Sequence, residues 1–363
     1  MSEWFDVGHA DDFAEGEVAA ARAGSQAVAM FRLGEEIFAL KDLCTHGNAK
    51  LSDGYVEDGC VECPLHQGLF DIRSGAPRCA PVTEAVRSFP VRVVAGRVEV
   101  GVGVGVGDAA QTGEGAAAAQ DAAPQLVQAS VESMERAAPD VAILRLRCAA
   151  PLSWRAGQYI DLLLEDGQRR SYSMATHAGA GSDLLELHVR HLPGGVFTDR
   201  VFGGMQPGQA LTLEGPTGSF YLREGAQPVI LLASGTGFAP VKALVEEAIA
   251  VGNTRPMRLY WGGRRTADLY LDALCRDWAT TLPWFEYVPV LSEADSASGW
   301  QGRTGFVHQA VMQDVPAMQQ YQVYACGAPV VVESARRDFT AACGLPETAF
   351  FADSFLSKAD LRT

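Results

Sequence analysis

Two short segments near the N-terminus carry the residues best suited to metal chemistry. They are Cys44-Thr45-His46 and, sixteen residues later, Cys63-Pro64-Leu65-His66. Each offers one thiolate and one imidazole. Two sulfurs can hold one iron and two neutral nitrogens a second, the donor set of a histidine-ligated two-iron, two-sulfide centre whose potential lies above that of an all-cysteine one. Structural zinc also takes mixed Cys/His sets, mostly with both cysteines or both histidines in one short motif. One Cys and one His per segment fits zinc poorly. A cluster passes electrons singly, so the rest of the chain must supply an electron source and an exit.

A second constellation begins at Arg170-Ser171-Tyr172-Ser173, after the polar turn Glu165-Asp166-Gly167-Gln168. A guanidinium, a ring and hydroxyls together can charge-balance, stack on and orient a flavin and its diphosphate. His188-Val189-Arg190 then leads into Gly194-Gly195-Val196-Phe197-Thr198, a glycine-rich turn able to present backbone N–H groups to phosphate. Gly215-Pro216-Thr217-Gly218-Ser219-Phe220 closes this stretch. Downstream, the apolar run Val229–Leu232 enters Ala233-Ser234-Gly235-Thr236-Gly237-Phe238-Ala239-Pro240. Glycines there let the backbone approach a diphosphate, and a following helix N-terminus stabilises its charge. Val323–Ala325 runs into a similar turn, Cys326-Gly327-Ala328-Pro329, whose thiol would sit at the carboxyl edge of a parallel sheet. His188-x-x-His191 is no metal pair, because on an alternating strand the two rings point to opposite faces.

The elements that must position these residues follow from texture. Short alternating stretches between glycine turns, such as Val28–Arg32 and Val91–Val94, read as half-buried strands and predict a small all-β domain over 1–106. Alternating Gly and Val over 101–107 lead into Ala/Gly/Gln-rich sequence without aromatic residues, an expected flexible linker at 107–124. About 17 such residues span roughly 20–25 Å. β-type segments return over 125–225, including Val141–Leu146, Tyr159–Leu163 and Leu185–Val189. From 226 to 363, apolar strands alternate with helical stretches at Pro240–Ala250 and Pro329–Ala342, the pattern of βαβ units. The texture thus predicts a multidomain chain: an all-β domain, then a second domain of β-type segments, then an α/β domain with a parallel sheet.

The chain has 363 residues, 48% of them hydrophobic, and a net charge of −15. The first 102 residues hold 16 acidic and 9 basic side chains. Such acidity argues against nucleic acid or an anionic membrane as partner. No apolar run approaches the ~20 residues of a membrane helix, the acidic N-terminus lacks signal-peptide features, and the scattered cysteines suit a reducing cytoplasm.

With its neighbours Asp42-Leu43, Leu51-Ser52-Asp53-Gly54 and Gln67-Gly68-Leu69-Phe70-Asp71, the region up to about residue 102 resembles the Rieske ferredoxins of bacterial aromatic-ring dioxygenases. The resemblance implies Cys44, His46, Cys63 and His66 as ligands of a Rieske [2Fe–2S] cluster. It departs from respiratory Rieske proteins, whose disulfide cysteines are matched here by Ala49 and Leu65, and whose Ser and Tyr hydroxyl donors are matched by Gly68 and Phe70. Fewer hydrogen bonds to sulfur imply a potential at the low end of the Rieske range.

From about residue 125 onward the ordered motifs resemble the ferredoxin–NADP reductase superfamily, in particular the flavin reductases of oxygenase systems. The resemblance implies an antiparallel, six-stranded β-barrel followed by a nicotinamide domain, with FAD held by Arg170, Tyr172, Ser173, His188, Val189, Arg190 and Gly194, Gly195, Val196, Phe197 and Thr198. It implies a nicotinamide coenzyme at Gly235, Thr236, Gly237, Pro240, Cys326 and Gly327. Ser173 and Cys326 would flank the site of hydride transfer. Phe351-Ala352-Asp353-Ser354-Phe355 matches the family's C-terminal acidic and aromatic element, with Asp353 where many relatives have Glu and Phe355 beside the flavin. Arg264 and Arg265 follow the second strand of the nicotinamide domain; relatives with a similar run through Asp268-Leu269-Tyr270 mostly prefer NADH, so NADH is expected over NADPH. Arg303 is expected in a loop near the coenzyme.

The expected route therefore runs from NADH to FAD, to the Rieske cluster, to the terminal oxygenase of an aromatic-ring system. Two other readings stay open. One is the same chain feeding a deoxysugar dehydrase or a cytochrome; the other is a redox carrier or sensor without turnover.

Overall fold

The structure, a computed structural model, describes residues 3–24, 26–45, 50–63, 68–78, 82, 85–102, 125–164, 167–178, 181–294 and 299–354. It divides into two compact units, Met1–Gln120 and Asp121–Thr363. The linker expected at 107–124 lies outside the described residues.

Among the described residues the first unit has ten strands: β1 (Glu3–His9), β2 (Val18–Ala23), β3 (Gln26–Leu33), β4 (Glu36–Lys41), β5 (Tyr55–Glu57), β6 (Cys60–Glu62), β7 (Leu69–Asp71), β8 (Ser88–Phe89), β9 (Val91–Val94) and β10 (Arg97–Val102). They form antiparallel sheets of order β1-β10-β9, β2-β3-β4-β8 and β5-β6-β7. The half-buried alternation expected over Val28–Arg32 is not what organises β3. Val28 and Met30 enter one core with Phe89, Val98 and Val100, while Ala29 and Phe31 enter a second with Leu51, Val61 and Phe70. Burial on both faces explains an unbroken apolar run, since no position is left for water. By contrast, Val93 and Val94 on the edge strand β9 are half exposed.

The second unit opens with β11 (Gln125–Ala138), β12 (Val141–Leu152), β13 (Tyr159–Leu163), β14 (Arg169–Ser173), β15 (Ser182–Arg190), a short helix α1 (Val196–Phe202) and β16 (Ala210–Thr217). The antiparallel order is β14-β13-β16-β11-β12-β15. A bridge between Met174 and Leu187, with Ala175 N–H donating to the Glu186 carbonyl at 2.8 Å, joins the outer strands and closes the sheet into a barrel. Leu185, Leu187 and Val189 fill its core from one face of β15. That leaves Glu186, His188 and Arg190 on the other face.

Next come β17 (Val229–Ser234), α2 (Phe238–Ala250), β18 (Met257–Gly263), α3 (Asp272–Thr281), β19 (Phe285–Leu291), β20 (Arg303–Thr304), α4 (Val307–Asp314), β21 (Gln322–Gly327), α5 (Pro329–Cys343) and β22 (Phe350–Ser354). The strands pair in parallel in the order β20-β19-β18-β17-β21-β22. Chain order reverses between β17 and β21, the kind of switch point whose carboxyl edge takes ligands in open α/β sheets. Proline at the first turn and left-handed Gly344 at the end bound α5. No helix among the described residues is long and apolar enough to cross a membrane.

Candidate functional site

In the first unit Cys44 and Cys63 are both buried and share one apolar core with Leu51, Val61 and Phe70. Each begins a loop whose base is tied. Leu51 N–H donates to the Asp42 carbonyl (3.3 Å) and Leu43 bridges Lys50, while Cys63 N–H donates to the Gly68 carbonyl (2.9 Å). The Asp42 carboxylate accepts from both the backbone (2.7 Å) and the hydroxyl (2.9 Å) of Ser52, pinning the turn that follows the first loop. His46 and His66 lie outside the described residues, as do Ala49 and Leu65. Two buried cysteines at the bases of two loops in one core fit the thiolate half of the expected cluster. A side chain at Gly68 would place its Cβ 2.5 Å from Val82, and Phe70 is fully buried, so neither position offers a hydroxyl.

In the second unit the carboxyl edge of the parallel sheet meets the barrel. Ser173, at the end of β14, donates its hydroxyl to Asp353 on β22 at 3.0 Å. The Cys326 thiol, at the end of β21, lies 4.0 Å from the same carboxylate oxygen, since Cys326 and Asp353 are register partners. Ser173 and Cys326, expected to flank the site of hydride transfer, thus meet at the Asp353 carboxylate of the C-terminal element. Burial pushes that carboxyl up to about 6, against the pull of the Ser173 hydroxyl. Burial and the neighbouring Asp353 charge push the Cys326 thiol well above its usual range, so it stays protonated and neutral.

The two strand-to-helix turns interlock. A Cβ at Gly237 would lie 2.2 Å from the Cys326 carbonyl oxygen, and one at Gly327 would lie 2.5 Å from the Ser234 carbonyl oxygen. Glycine at both positions therefore lets the Gly235–Gly237 turn seat directly against the end of β21. Trp261 donates its indole N–H to the Gly235 carbonyl (3.0 Å), and its ring stacks on Phe238 at 3.9 Å. Pro240 is buried in the first turn of α2. The Arg190 guanidinium reaches this turn, 3.5 Å from Asp268, and its Nε is buried with no hydrogen-bond partner among the described residues. An orphaned buried N–H beside a glycine turn fits a bound anionic oxygen.

The remaining candidates are placed more diversely. Arg170 bonds the Arg169 carbonyl and Gln168, and the Tyr172 ring lies 5.4 Å from Phe197 at the barrel wall. Val189 and Phe197 point into the barrel core, whereas Val196 is exposed. Gly194 N–H donates to Asp199, and the Thr198 hydroxyl donates to the Leu192 carbonyl, so this turn is stapled from within. The His188 ring is wholly buried between Glu186 and Tyr270 rather than open to a groove. His191 pairs separately with Asp199, and the two histidines share no partner among the described residues. Arg303 lies in the two-residue strand β20, not in a loop, and pairs with Asp314. Phe351 stacks on Tyr324 within the core; Phe355 lies outside the described residues.

Sequence reasoning passed over Glu186, Lys242 and Tyr270. Glu186 reads as the water-facing side of an alternating strand, and only the second domain buries it. Lys242 left a signal: it is the one charge in Phe238–Val245, an otherwise uncharged run that is buried throughout. A lysine so placed needs counter-charges from elsewhere.

Family models describe three parts of the chain: a Rieske [2Fe-2S] domain over residues 3–90, an oxidoreductase FAD-binding domain over 128–221 and an oxidoreductase NAD-binding domain over 231–337. A CDP-6-deoxy-L-threo-D-glycero-4-hexulose-3-dehydrase reductase of Yersinia pseudotuberculosis is 45% identical over 228 residues, 62% of this chain and 68% of the relative. The chain belongs to the FAD- and NAD-binding reductases of the ferredoxin-reductase type. This reductase carries a Rieske domain as well, and an anthranilate 1,2-dioxygenase ferredoxin subunit of Burkholderia cepacia is 62% identical to it over 102 residues, 28% of this chain and 94% of the relative. Among solved structures, the Amycolatopsis cytochrome P450 reductase matches it with a TM-score of 0.60 at 34% identity, covering 64% of this chain and 70% of that one. The reductase is therefore an oxidoreductase with Rieske [2Fe–2S], FAD- and NAD-binding domains.

Proposed function

We propose that this reductase is the electron-transfer component of a multicomponent Rieske aromatic-ring oxygenase, drawing electrons from NADH and handing them to a terminal oxygenase protein in the cytoplasm. The observation that carries the reading is the union, in one chain, of a reductase with a domain so similar to a dioxygenase ferredoxin subunit. A flavin takes a hydride from the coenzyme and gives up electrons singly, which a histidine-ligated cluster can accept.

The domains are assigned as 1–106 for the cluster, 107–124 for the linker, 125–225 for the flavin and 226–363 for the coenzyme. Cys44, His46, Cys63 and His66 would ligate the cluster. Arg170, Tyr172, Ser173, Val189, Arg190, Gly194–Thr198 and Phe355 would hold the flavin; His188 would contribute through its backbone, its ring being committed elsewhere. Gly235, Thr236, Gly237, Pro240, Cys326 and Gly327 would hold the coenzyme. Asp353 fixes the Ser173 hydroxyl by accepting its proton in a hydrogen bond. The Cys326 thiol gives the pair a small, neutral neighbour. NADH is favoured over NADPH because the Asp268 and Glu293 carboxylates lie beside Arg264 and Arg265, 3.8 Å from each guanidinium, and oppose a 2′-phosphate.

Rapid mixing of the loaded protein with NADH should bleach the flavin and then develop the EPR signal of a reduced Rieske cluster. A cluster that stays oxidised while the flavin is bleached would sink the internal relay. The deoxysugar reading is favoured by the Yersinia relative. Presenting the reduced protein with an aromatic-ring dioxygenase and with a hexulose dehydrase, and following reoxidation, separates the two.

A further inference from the structure

The polar side chains buried between the barrel and the parallel-sheet domain, the His188 ring among them, have no part in binding as described above. Lys242 on α2 is 7% exposed and reaches back to the barrel. Its ammonium donates to the Ala175 carbonyl (2.9 Å) and pairs with Glu186 (3.1 Å) on β15 and Glu246 (2.6 Å) on its own helix. Glu186 also takes a charge-assisted hydrogen bond from Arg145 at 2.9 Å, so two buried or half-buried cations balance two carboxylates. Burial opposes ionisation of Glu186, but the hydrogen bond from His188 and the Lys242 charge hold its carboxyl at about 2.

An ionised carboxylate only accepts, so the His188 Nε2, 3.2 Å from Glu186, must carry the proton of that bond. Burial keeps the imidazole neutral by pushing its pKa down against the carboxylate's pull. Its Nδ1 is then an acceptor, and Tyr270 donates to it at 2.8 Å. The Tyr270 ring stands edge-on to Trp261 at 5.2 Å, and Trp261 holds the Gly235 carbonyl. A continuous set of contacts therefore runs from the barrel strand, through His188 and Tyr270, to the glycine turn. Lys242 ties the helix after that turn to Ala175, two residues beyond Ser173.

We propose that Glu186, His188, Lys242 and Tyr270 form a positioning clamp that sets the offset between the barrel's Ser173 and the Gly235–Gly237 turn, and with it the geometry in which hydride donor and acceptor meet. The proposal rests on the functional reading that hydride passes across this edge. None of the four need touch a reacting atom. A break in the clamp displaces the turn, and a misplacement of ~1 Å can slow a reaction by about a hundredfold.

The test uses the full-length, cofactor-loaded protein and two variants, Tyr270→Phe, which removes one hydroxyl, and Lys242→Met, which removes the interdomain ion pair. Arg147→Ala, breaking exposed pairs to Glu132 and Asp183, is the control. Rapid-mixing traces give the limiting rate of flavin reduction and the NADH half-saturation separately, and hydrogen–deuterium exchange reports on 235–243 and 174–188. The expected result in both variants is a limiting rate lowered roughly ten- to a hundredfold. Half-saturation should change far less, and exchange should quicken in those two segments. The control should match wild type in each readout. Wild-type limiting rates in both variants would overturn the clamp, as would exchange quickening evenly over the whole unit in Tyr270→Phe. A wild-type protein that NADH does not reduce overturns the functional reading instead, and the exchange contrast still judges the clamp.

Discussion

The Ser173 hydroxyl lies 3.0 Å from the Asp353 carboxylate, although 180 residues separate them. The contact exists because the barrel strand β14 ends where the last strand of the parallel sheet ends. One carboxylate thereby bridges two domains, each of which has its own core. Its raised pKa has consequences for both rate and stability.

For the rate, loss of a hydride leaves a nicotinamide ring cationic, and a nearby carboxylate favours that charge. NADH-dependent flavin reduction should therefore slow as pH falls through about 6, the value to which burial pushes Asp353. The inflection should vanish in Asp353→Asn. Single-turnover rates between about pH 5 and 8 check this.

For stability the sign is opposite. A carboxyl raised above its ordinary 3.8 in the fold favours folding in its protonated form, so stability is lost as pH rises from about 4 to about 6. Asp353→Asn should raise the thermal midpoint at pH 7.5 by a few degrees, on the order expected for 1 kcal/mol in a domain of this size. No such gain should appear at pH 4.

Gly237→Ala would bring a methyl group to 2.2 Å from the Cys326 carbonyl oxygen. Backbone must yield, at a cost of about 1–3 kcal/mol. Flavin content should hold, because the barrel is untouched, while NADH-dependent reduction falls sharply. Flavin absorbance and rapid-mixing rates distinguish the two effects.

The cluster's midpoint potential should lie near the bottom of the Rieske range, around −150 mV. Gly68 has no room for a hydroxyl-bearing Cβ, because Val82 stands 2.5 Å from that point. Making room with Val82→Ala and adding the donor with Gly68→Ser should raise the midpoint. One hydrogen bond of roughly 1 kcal/mol corresponds to about 40 mV. A redox titration followed by EPR measures it.

Asp42→Ala removes both bonds that pin Ser52 behind the first cysteine loop. The expected loss is about 1–3 kcal/mol, together with faster bleaching of the cluster's visible absorbance in air. Ser52→Ala, which keeps the backbone bond, should lie between this variant and wild type.

Features written in contiguous residues were readable from the sequence: Cys44 and Cys63 as a pair meeting in one core, the glycine turn after Val229–Leu232, and Cys326-Gly327 at a strand end. Local chemistry specifies each. Features that depend on what packs across a strand were not. Strand β3 looks like any half-buried strand until a second core is found behind it. Glu186 looks solvated until α2 covers it with Lys242. The Thr198 hydroxyl staples its own turn, a use the glycine-rich stretch does not announce. Partners remote in sequence determine these outcomes, and a period-2 pattern says nothing about who those partners are.

The central strand β3 feeds side chains into both apolar clusters of the first unit. A void opened on either side of it is therefore felt on the other, and the unit should melt in one step. Phe31→Ala opens its void beside Phe70 on the cysteine side, and through their shared strand β3 it should lower the melting midpoint of the far sheet carrying Val98 and Val100 as well. The redox end of this unit has no private scaffold. Heat or denaturant that frays the sheet pairing β1 with β10 should release iron over the same interval, with no window in which a bleached domain stays folded or a frayed one stays coloured.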